Sequence, residues 1–348
     1  PSTVFGRQAP SNTLQMGCIG TGRQGQGDMQ ELIYRGLEVG ARVVAVCDVD
    51  KHRMEDAKWL AEKIYATELD KRSYKGCAAY SDFRELLARE DIDGVLIVTP
   101  DHWHAAHGIA AANAGKDIYM EKPLTYSIAE GRKLVETVRK NNRILQVGSQ
   151  QRSSTYFLMA CELVRNKRIG QLHTIKVWLP EDQGSGDPQP APVPRNLDYD
   201  FWLGPAPQAP FTEHRVHPQR NYGRPGWLQI QQYCHGMITG WGSHMNDIAQ
   251  WGNGTEDTGP VVIQAKAAFP DRGLFDVHTT YRSEAKYANG VRLIQETGDP
   301  AGVRFEGDKG WIFVKRGAID ASDRDILRQK VQDDEIKLYK SSNHMKDF

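Results

Sequence analysis

A carboxylate, an amine and a proline stand side by side at Glu121-Lys122-Pro123, directly behind the short apolar run Ile118-Tyr119-Met120. An amine so placed can exchange a proton with a substrate hydroxyl; a surface ion pair ahead of a proline turn is the plain alternative. A second chemical group is Asp101-His102-Trp103-His104, two imidazoles and an indole behind Thr99-Pro100. His102 and His104 are two apart with no third ligand close in sequence, so no metal is expected and the loop reads as a wall of a cofactor pocket. The third lies in Trp241 to Trp251, where His244 and Asp247, three apart, share one face of a helix starting near Ser243.

The elements that must position these groups are legible around them. Leu14 to Ile19 reads as a strand and empties into Gly20-Thr21-Gly22-Arg23-Gln24-Gly25, which is G-x-G-x-x-G in a strand-turn-helix setting. The first glycine allows the tight turn, the second lets backbone approach a diphosphate, and the third lets helix pack on strand. Val43 to Cys47 is a continuous apolar strand ending at Asp48, 23 residues past Gly25. A carboxylate there accepts from ribose hydroxyls and repels a 2′-phosphate, so NAD is expected over NADP. A helix N-cap is the alternative for Asp48, and Arg53 is the residue that would soften the preference. Asp82 and Glu85 have capping-box spacing over a short helix to Leu87, and Gly94 to Val98 is a further strand. An Ala-rich helix is expected over Ala105 to Ala114, stopped by Gly115, and a helix opened by a Ser127/Glu130 capping box over Ile128 to Lys140. Ile144 to Gly148 closes the series. The loop Thr99 to His104 and Glu121-Lys122-Pro123 both fall at strand carboxyl ends, where open parallel sheets bind ligands.

At 348 residues the chain is long enough for about two domains. Lys plus Arg and Asp plus Glu both number 44, which gives no reason to expect nucleic acid or an anionic membrane as partner. No run of apolar residues is long enough for a membrane span. The five cysteines have no C-x-x-C spacing, and Cys18 and Cys47 fall in expected strands. Pro1 to Asn12 reads as a flexible arm, of the kind that follows a removed export signal, and suggests a periplasmic location over a cytoplasmic one. Pro180 to Pro194 reads as a loop, and Asp198 to Pro205 as an aromatic packing anchor. Strands are expected at Val261–Ala268, Asp276–Arg282, Val291–Gln295, Gly302–Glu306 and Trp311–Val314, with a two-residue hairpin turn at Asn289-Gly290. Asp320 to Asp334 reads as solvated surface.

G-T-G-R-Q-G, V-C-D-V-D, T-P-D-H-W-H-A, A-G-K-D-I-Y-M-E-K-P-L and V-G-S-Q-Q-R occur in this order. Together, from about Gly17 to Gly254, they resemble the glucose-fructose oxidoreductase / inositol dehydrogenase / rhizopine-catabolism (Gfo/Idh/MocA) family. The resemblance implies an α/β chain: a Rossmann domain at 14–147 behind the arm at 1–13, then an α+β domain at 148–348 with an open, mostly antiparallel sheet. It also implies a tightly held NAD, a carbohydrate or polyol substrate, and a homo-oligomer, dimer or tetramer. Lys122 matches the lysine of the family's E-K-P motif, placed near the nicotinamide and the reacting hydroxyl, and Thr99, Pro100 and His104 match its T-P-x-x-x-H loop. His102, Glu121 and Gln150 complete the expected cofactor contacts. Arg152 lies where the family's substrate pocket begins, and Tyr156, Trp241, His244 and Asp247 join it. The family pattern D-x-x-x-H-x-x-D assigns His244 and Asp247 to substrate hydroxyls or proton transfer, with Lys122 and His244 as the catalytic pair. Its first aspartate falls at Gly240 here, and His235 is the nearest replacement. The activity implied is NAD-dependent oxidation or reduction of a secondary hydroxyl. The alternatives are a glycosidase or lyase that recycles a bound NAD through a transient keto-sugar, and a non-catalytic binder.

Overall fold

The computed structural model describes residues 13–348; the expected N-terminal arm lies outside them. The first unit runs β1 (Leu14–Ile19), α1 (Arg23–Val39), β2 (Ala41–Cys47), α2 (Lys51–Glu68), β3 (Ala78–Tyr80), α3 (Phe83–Leu87), β4 (Gly94–Ile97), α4 (Asp101–Asn113), β5 (Asp117–Met120), α5 (Ile128–Lys140) and β6 (Leu145–Val147). All pairings in its six-stranded sheet are parallel, in the order β3-β2-β1-β4-β5-β6. The strands are buried on both faces, which is why V-V-A-V and V-L-I appear as unbroken apolar runs. The order reverses between β1 and β4, so their carboxyl ends part and leave a crevice over Gly20 and Thr99.

The second unit holds α6 (Thr155–Arg165), β7 (Leu172–Leu179), α7 (Tyr199–Leu203), α8 (Met237–Gly240), α9 (Gly242–Asn253), β8 (Val262–Ala268), β9 (Thr280–Lys286), β10 (Arg292–Thr297), β11 (Gly302–Gly307), β12 (Gly310–Lys315), β13 (Ala318–Ala321) and α10 (His344–Asp347). Its seven-stranded sheet has the order β13-β12-β11-β7-β10-β9-β8, antiparallel except between β7 and β10. Helices α6 and α9 cover one face, with Phe157, Met245, Ile248, Val177, Phe305 and Ile312 in the shared core. Edge strand β8 is exposed along its whole length.

Several local expectations shift. Residues 276–279 precede β9 instead of opening it, because the Asp276 amide is drawn to the Gln229 carbonyl at 3.0 Å. The turn at Asn289-Gly290 has three residues, closed by the Tyr287 amide on the Val291 carbonyl at 2.9 Å. The Ser127/Glu130 capping box forms, whereas Asp82 caps α3 through the Arg84 amide and no box closes. Strands β7 and β13 lie outside the five expected for this sheet. The last residues, although behind the second unit in sequence, return to the first: Met345 is buried against the Met16, Met29 and Tyr119 cluster, and Gln146 donates to the His344 carbonyl at 2.8 Å.

Candidate active site

A cleft of about 800 Å3 runs across the carboxyl ends of β1, β2, β4 and β5 and is walled on its far side by the second unit. At one end is the glycine turn. Gly20 has φ +85° and an added Cβ would lie 2.5 Å from the Val98 carbonyl oxygen, while one on Gly25 would lie 2.0 Å from the Gly20 carbonyl oxygen. Neither position admits a side chain. At Gly22 an added Cβ meets nothing within 4 Å, so this glycine keeps space open in front of the helix rather than packing. The turn thus presents bare backbone and the positive N-terminus of a 17-residue helix to the cleft, as a diphosphate requires. Arg23 and Gln24 line the same end. Asp48 accepts from the Thr21 amide at 2.7 Å and the Asp50 amide at 2.9 Å, so it braces the turn as well as facing the cleft. The N-cap of α2 is Asp50, not Asp48. The residues at this end fit a dinucleotide.

Glu121-Lys122-Pro123 follows β5 and stands where the two units meet. Glu121 is 3% exposed and accepts from Gln150 Nε2 and from the Lys122 amide. Burial raises its pKa, opposed by the charge on Lys122. Asp28 on α1 is raised further, by burial and by Glu121, and its Oδ2 has no hydrogen-bond partner among the described residues. The Lys122 amine donates to the Gly240 carbonyl at 3.2 Å. His244, in the first turn of α9, lines the same part of the cleft with Trp241. Burial, aided by the charges of Lys122 and Arg316, takes its pKa down to about 3, so it is a neutral imidazole. Its Nδ1 is buried without a hydrogen-bond partner among the described residues, and Gly240 supplies no carboxylate to it. His235 does not replace that carboxylate, since it stacks on Tyr126 outside the cleft.

Thr99, Pro100, Glu121, Lys122, Gln150, Trp241 and His244 all line the cleft as expected. Five expected residues do not. Helix α4 begins at Asp101 rather than Ala105, and helical geometry then sorts its side chains. Trp103 and His107, four apart, face the cleft, while His102 and His104 turn away. His104 instead donates Nδ1–H to the Pro123 carbonyl at 2.7 Å, which props the Lys122-Pro123 turn from behind, and His102 meets the Trp202 carbonyl at 3.2 Å. A carbonyl can only accept, so both tautomers follow from these contacts. Arg152 and Asp247 are locked to each other by two 2.7 Å bonds, with Glu256 as a further partner of Arg152, away from the cleft. Tyr156 lies on the surface, 43% exposed.

The residues that replace them come from segments far apart in sequence. Trp202 and Trp227 also line the cleft, Trp202 from within a buried aromatic cluster with Tyr199 and Tyr233. Arg316 sits on the turn between β12 and β13, its guanidinium 4.6 Å over the Trp241 ring and its Nε donating to Gln151 Oε1 at 3.0 Å. The only early sign of it is the Arg316-Gly317 pair between two β-prone runs. Asp101, buried at the start of α4, is pushed up to about 7 by burial, against a hydrogen bond with Cys234 and the charge on Lys122.

A strap from the second unit crosses the dinucleotide end. Arg53, expected near the ribose, donates to the carbonyls of Pro218 and Asn221 at 2.7 and 3.1 Å and lies 4.4 Å from the centre of the Tyr222 ring. Tyr222 accepts from Gln26 at 2.6 Å and donates to Asp56 at 2.8 Å. Asp50 holds His217 at 2.8 Å and Asn196 at 2.8 Å. Burial works against the charge of Asp50, but these hydrogen bonds prevail and hold it down to about 2.

Comparison with known proteins agrees with this architecture. The inositol 2-dehydrogenase of Salmonella typhimurium is 29% identical over 160 residues, 46% of this chain and 44% of that protein. A glycosyl hydrolase family 109 protein of Shewanella pealeana is 27% identical over 172 residues, 49% of this chain and 36% of that one. Each match thus takes in less than half of the relative's length. Among solved structures, the WlbA dehydrogenase from Bordetella pertussis, in complex with NADH and UDP-GlcNAcA, superimposes with a TM-score of 0.65, covering 88% of this chain and 82% of that one at 17% identity. That likeness is one of fold. Residues 14–149 match the model of an oxidoreductase family with an NAD-binding Rossmann fold, and residues 170–339 the model of its C-terminal alpha/beta domain. With both halves matched, the chain belongs to the Gfo/Idh/MocA oxidoreductase family.

Proposed function

We propose that this protein is an NAD-dependent oxidoreductase that acts on a secondary hydroxyl of a sugar, glycoside or cyclitol. The observation that carries the reading is the position of Lys122, an amine on the border between a dinucleotide cradle and an aromatic, polar wall. NAD, when bound, supplies the hydride acceptor or donor. Gly20, Gly22 and Gly25 hold its diphosphate against α1, and Asp48 takes ribose hydroxyls. Lys122 exchanges the carbinol proton with the substrate, while its bond to the Gly240 carbonyl fixes the direction of the amine. His244 stays neutral and orients the hydroxyl by hydrogen bonding. His104 and Glu121 hold the Lys122-Pro123 turn in place, a positioning role. Trp202, Trp227 and Trp241 close the site around the ring and limit water. The exposed β8 edge, with Val262 and Ile263 more than half exposed, is the proposed contact between copies in a homo-oligomer.

A second reading has two supports, the glycosyl hydrolase relative and the strap over the dinucleotide end. In it, oxidation would be transient: a ketone would acidify the neighbouring C–H, loss of that proton would expel the aglycone and leave an unsaturated ketone, water would add to the double bond, and the bound NADH would return hydride to the ketone. The testing experiment is a panel of sugars, cyclitols and aryl glycosides incubated with protein and NAD, followed for both NADH and released aglycone. Net NADH supports the oxidoreductase, and aglycone release without NADH supports the second reading. Lys122→Met should lower turnover by a factor on the order of 100 to 10,000 with dinucleotide binding retained. Near-normal turnover refutes the assigned role.

A further inference from the structure

Among the described residues, the four arginines that line the cleft have terminal nitrogens on protein partners, with two exceptions. Arg53 is spent on the strap carbonyls, and Arg224 lies against Met237 Sδ at 3.1 Å with Asp182 at 3.9 Å. Arg23 has no such partner, but it stands at the glycine turn, where the dinucleotide supplies the anion. Arg316 is the other exception, and it stands at the opposite end, beside Trp241, His244 and Lys122.

Its surroundings hold it for a task. The turn that carries it has Gly317 at φ +77°, with nothing within 4 Å of an added Cβ, so the turn is open to the cleft. Stacking on Trp241 and the Nε bond to Gln151 fix the plane of the guanidinium. Neither contact uses the two terminal nitrogens. Glu121, the acid whose charge bears on Arg316, makes its bonds to Gln150 and the Lys122 amide and, among the described residues, no ion pair with Arg316. A planar fork with its outer N–H groups unspent matches a carboxylate in two-point contact, whereas a single hydroxyl satisfies only one of them.

Resting on the oxidoreductase reading, we propose that the substrate is an acidic sugar, a uronate or aldonate, whose carboxylate is bound by the terminal nitrogens of Arg316. A phosphate ester is the competing anion for the same nitrogens, and the test includes one.

The test is calorimetric titration of NADH-loaded protein with D-glucuronate against D-glucose, D-galacturonate against D-galactose, and D-gluconate against D-glucitol, with glucose 6-phosphate as a further probe. At least one acid should bind tenfold or more tighter than its neutral counterpart. Arg316→Gln should reduce that preference to threefold or less, and Arg316→Lys should restore part of it. Tryptophan fluorescence and NADH affinity of each variant report whether it is folded. The proposal is overturned if no acid outbinds its counterpart, absence of any binding included. It is equally overturned if the preference survives in Arg316→Gln, or if the phosphate binds tightest. A protein that fails to take up NADH sinks the oxidoreductase reading and this proposal with it. NADH uptake without acid preference sinks this proposal alone.

Discussion

His107 offers a direct measurement of how firmly the cleft wall is packed. Its ring is stacked on Trp103 at 4.7 Å, meets Phe83 edge-on at 4.4 Å, and places Nδ1 3.1 Å from Thr99 Oγ1. Burial drives its pKa down to about 3, with the neighbouring His104 and His102 adding to the effect. In the unfolded chain the same group titrates at about 6.5. Above that value both states are neutral and His107 adds no pH dependence. As pH falls from about 6.5 the unfolded state takes up the proton and the folded state does not, so stability falls by about 1.4 kcal/mol per unit. By about pH 5 that is a loss of about 2 kcal/mol from this one ring, and a folded-state value a unit higher would barely change it. The absolute acid response of the protein cannot isolate this, because Asp28, Glu121, Asp101 and Asp182 have raised pKa values and pull the other way. A difference can. His107→Asn retains a polar atom for Thr99 and cannot titrate. Urea unfolding of both proteins near pH 7 and pH 5 should show the wild type losing about 2 kcal/mol more than the variant over that interval. The variant is expected to be the less stable near pH 7, for want of the stacking. An equal loss in both proteins, to within about 0.5 kcal/mol, would refute the packing argument.

Two further outcomes follow from the dinucleotide end. Gly25→Ala forces a methyl to 2.0 Å from the Gly20 carbonyl oxygen, so it should destabilise by about 1–3 kcal/mol and abolish NAD binding in a fluorescence titration. Asp48→Ser removes the carboxylate that would repel a 2′-phosphate, and should narrow the preference for NAD over NADP by tenfold or more. If the wild type already binds NADP the tighter, the cofactor assignment to Asp48 is wrong.

The first half of the site was legible because its chemistry is local. Gly20, Asp48 and Lys122 each follow the end of a strand whose apolar run announces it, Gly22 and Gly25 open the helix behind Gly20, and an open parallel sheet gathers such ends on one edge. The histidine loop was misread for a nearly local reason. Moving the start of α4 by one turn exchanges His102 and His104 for Trp103 and His107, since position on a helix, not order in a loop, decides which side chain meets the cleft. Arg152 and Asp247 illustrate a different failure. Spacing put His244 and Asp247 near one another on α9, but an arginine ahead of α6 satisfies Asp247 on the far side of the helix, and a spacing argument cannot see a tertiary partner. Arg316 reaches the site through the folding of the second sheet and the strap at 217–224 through its hydrogen bonds to the first unit, and no periodicity in their own segments points there.

The strap gives the two ends of the cleft different clocks. A dinucleotide seated beneath it can depart no faster than Arg53 releases Pro218 and Asn221, and Tyr222 releases Gln26 and Asp56. On the proposed function, the substrate end has no such clasp among the described residues, so several substrate molecules would come and go within one cofactor residence time. The bound cofactor would then carry the outcome of one encounter, oxidised or reduced, into the next. What a molecule undergoes would depend on what the previous one left behind, not on the concentration of free cofactor outside.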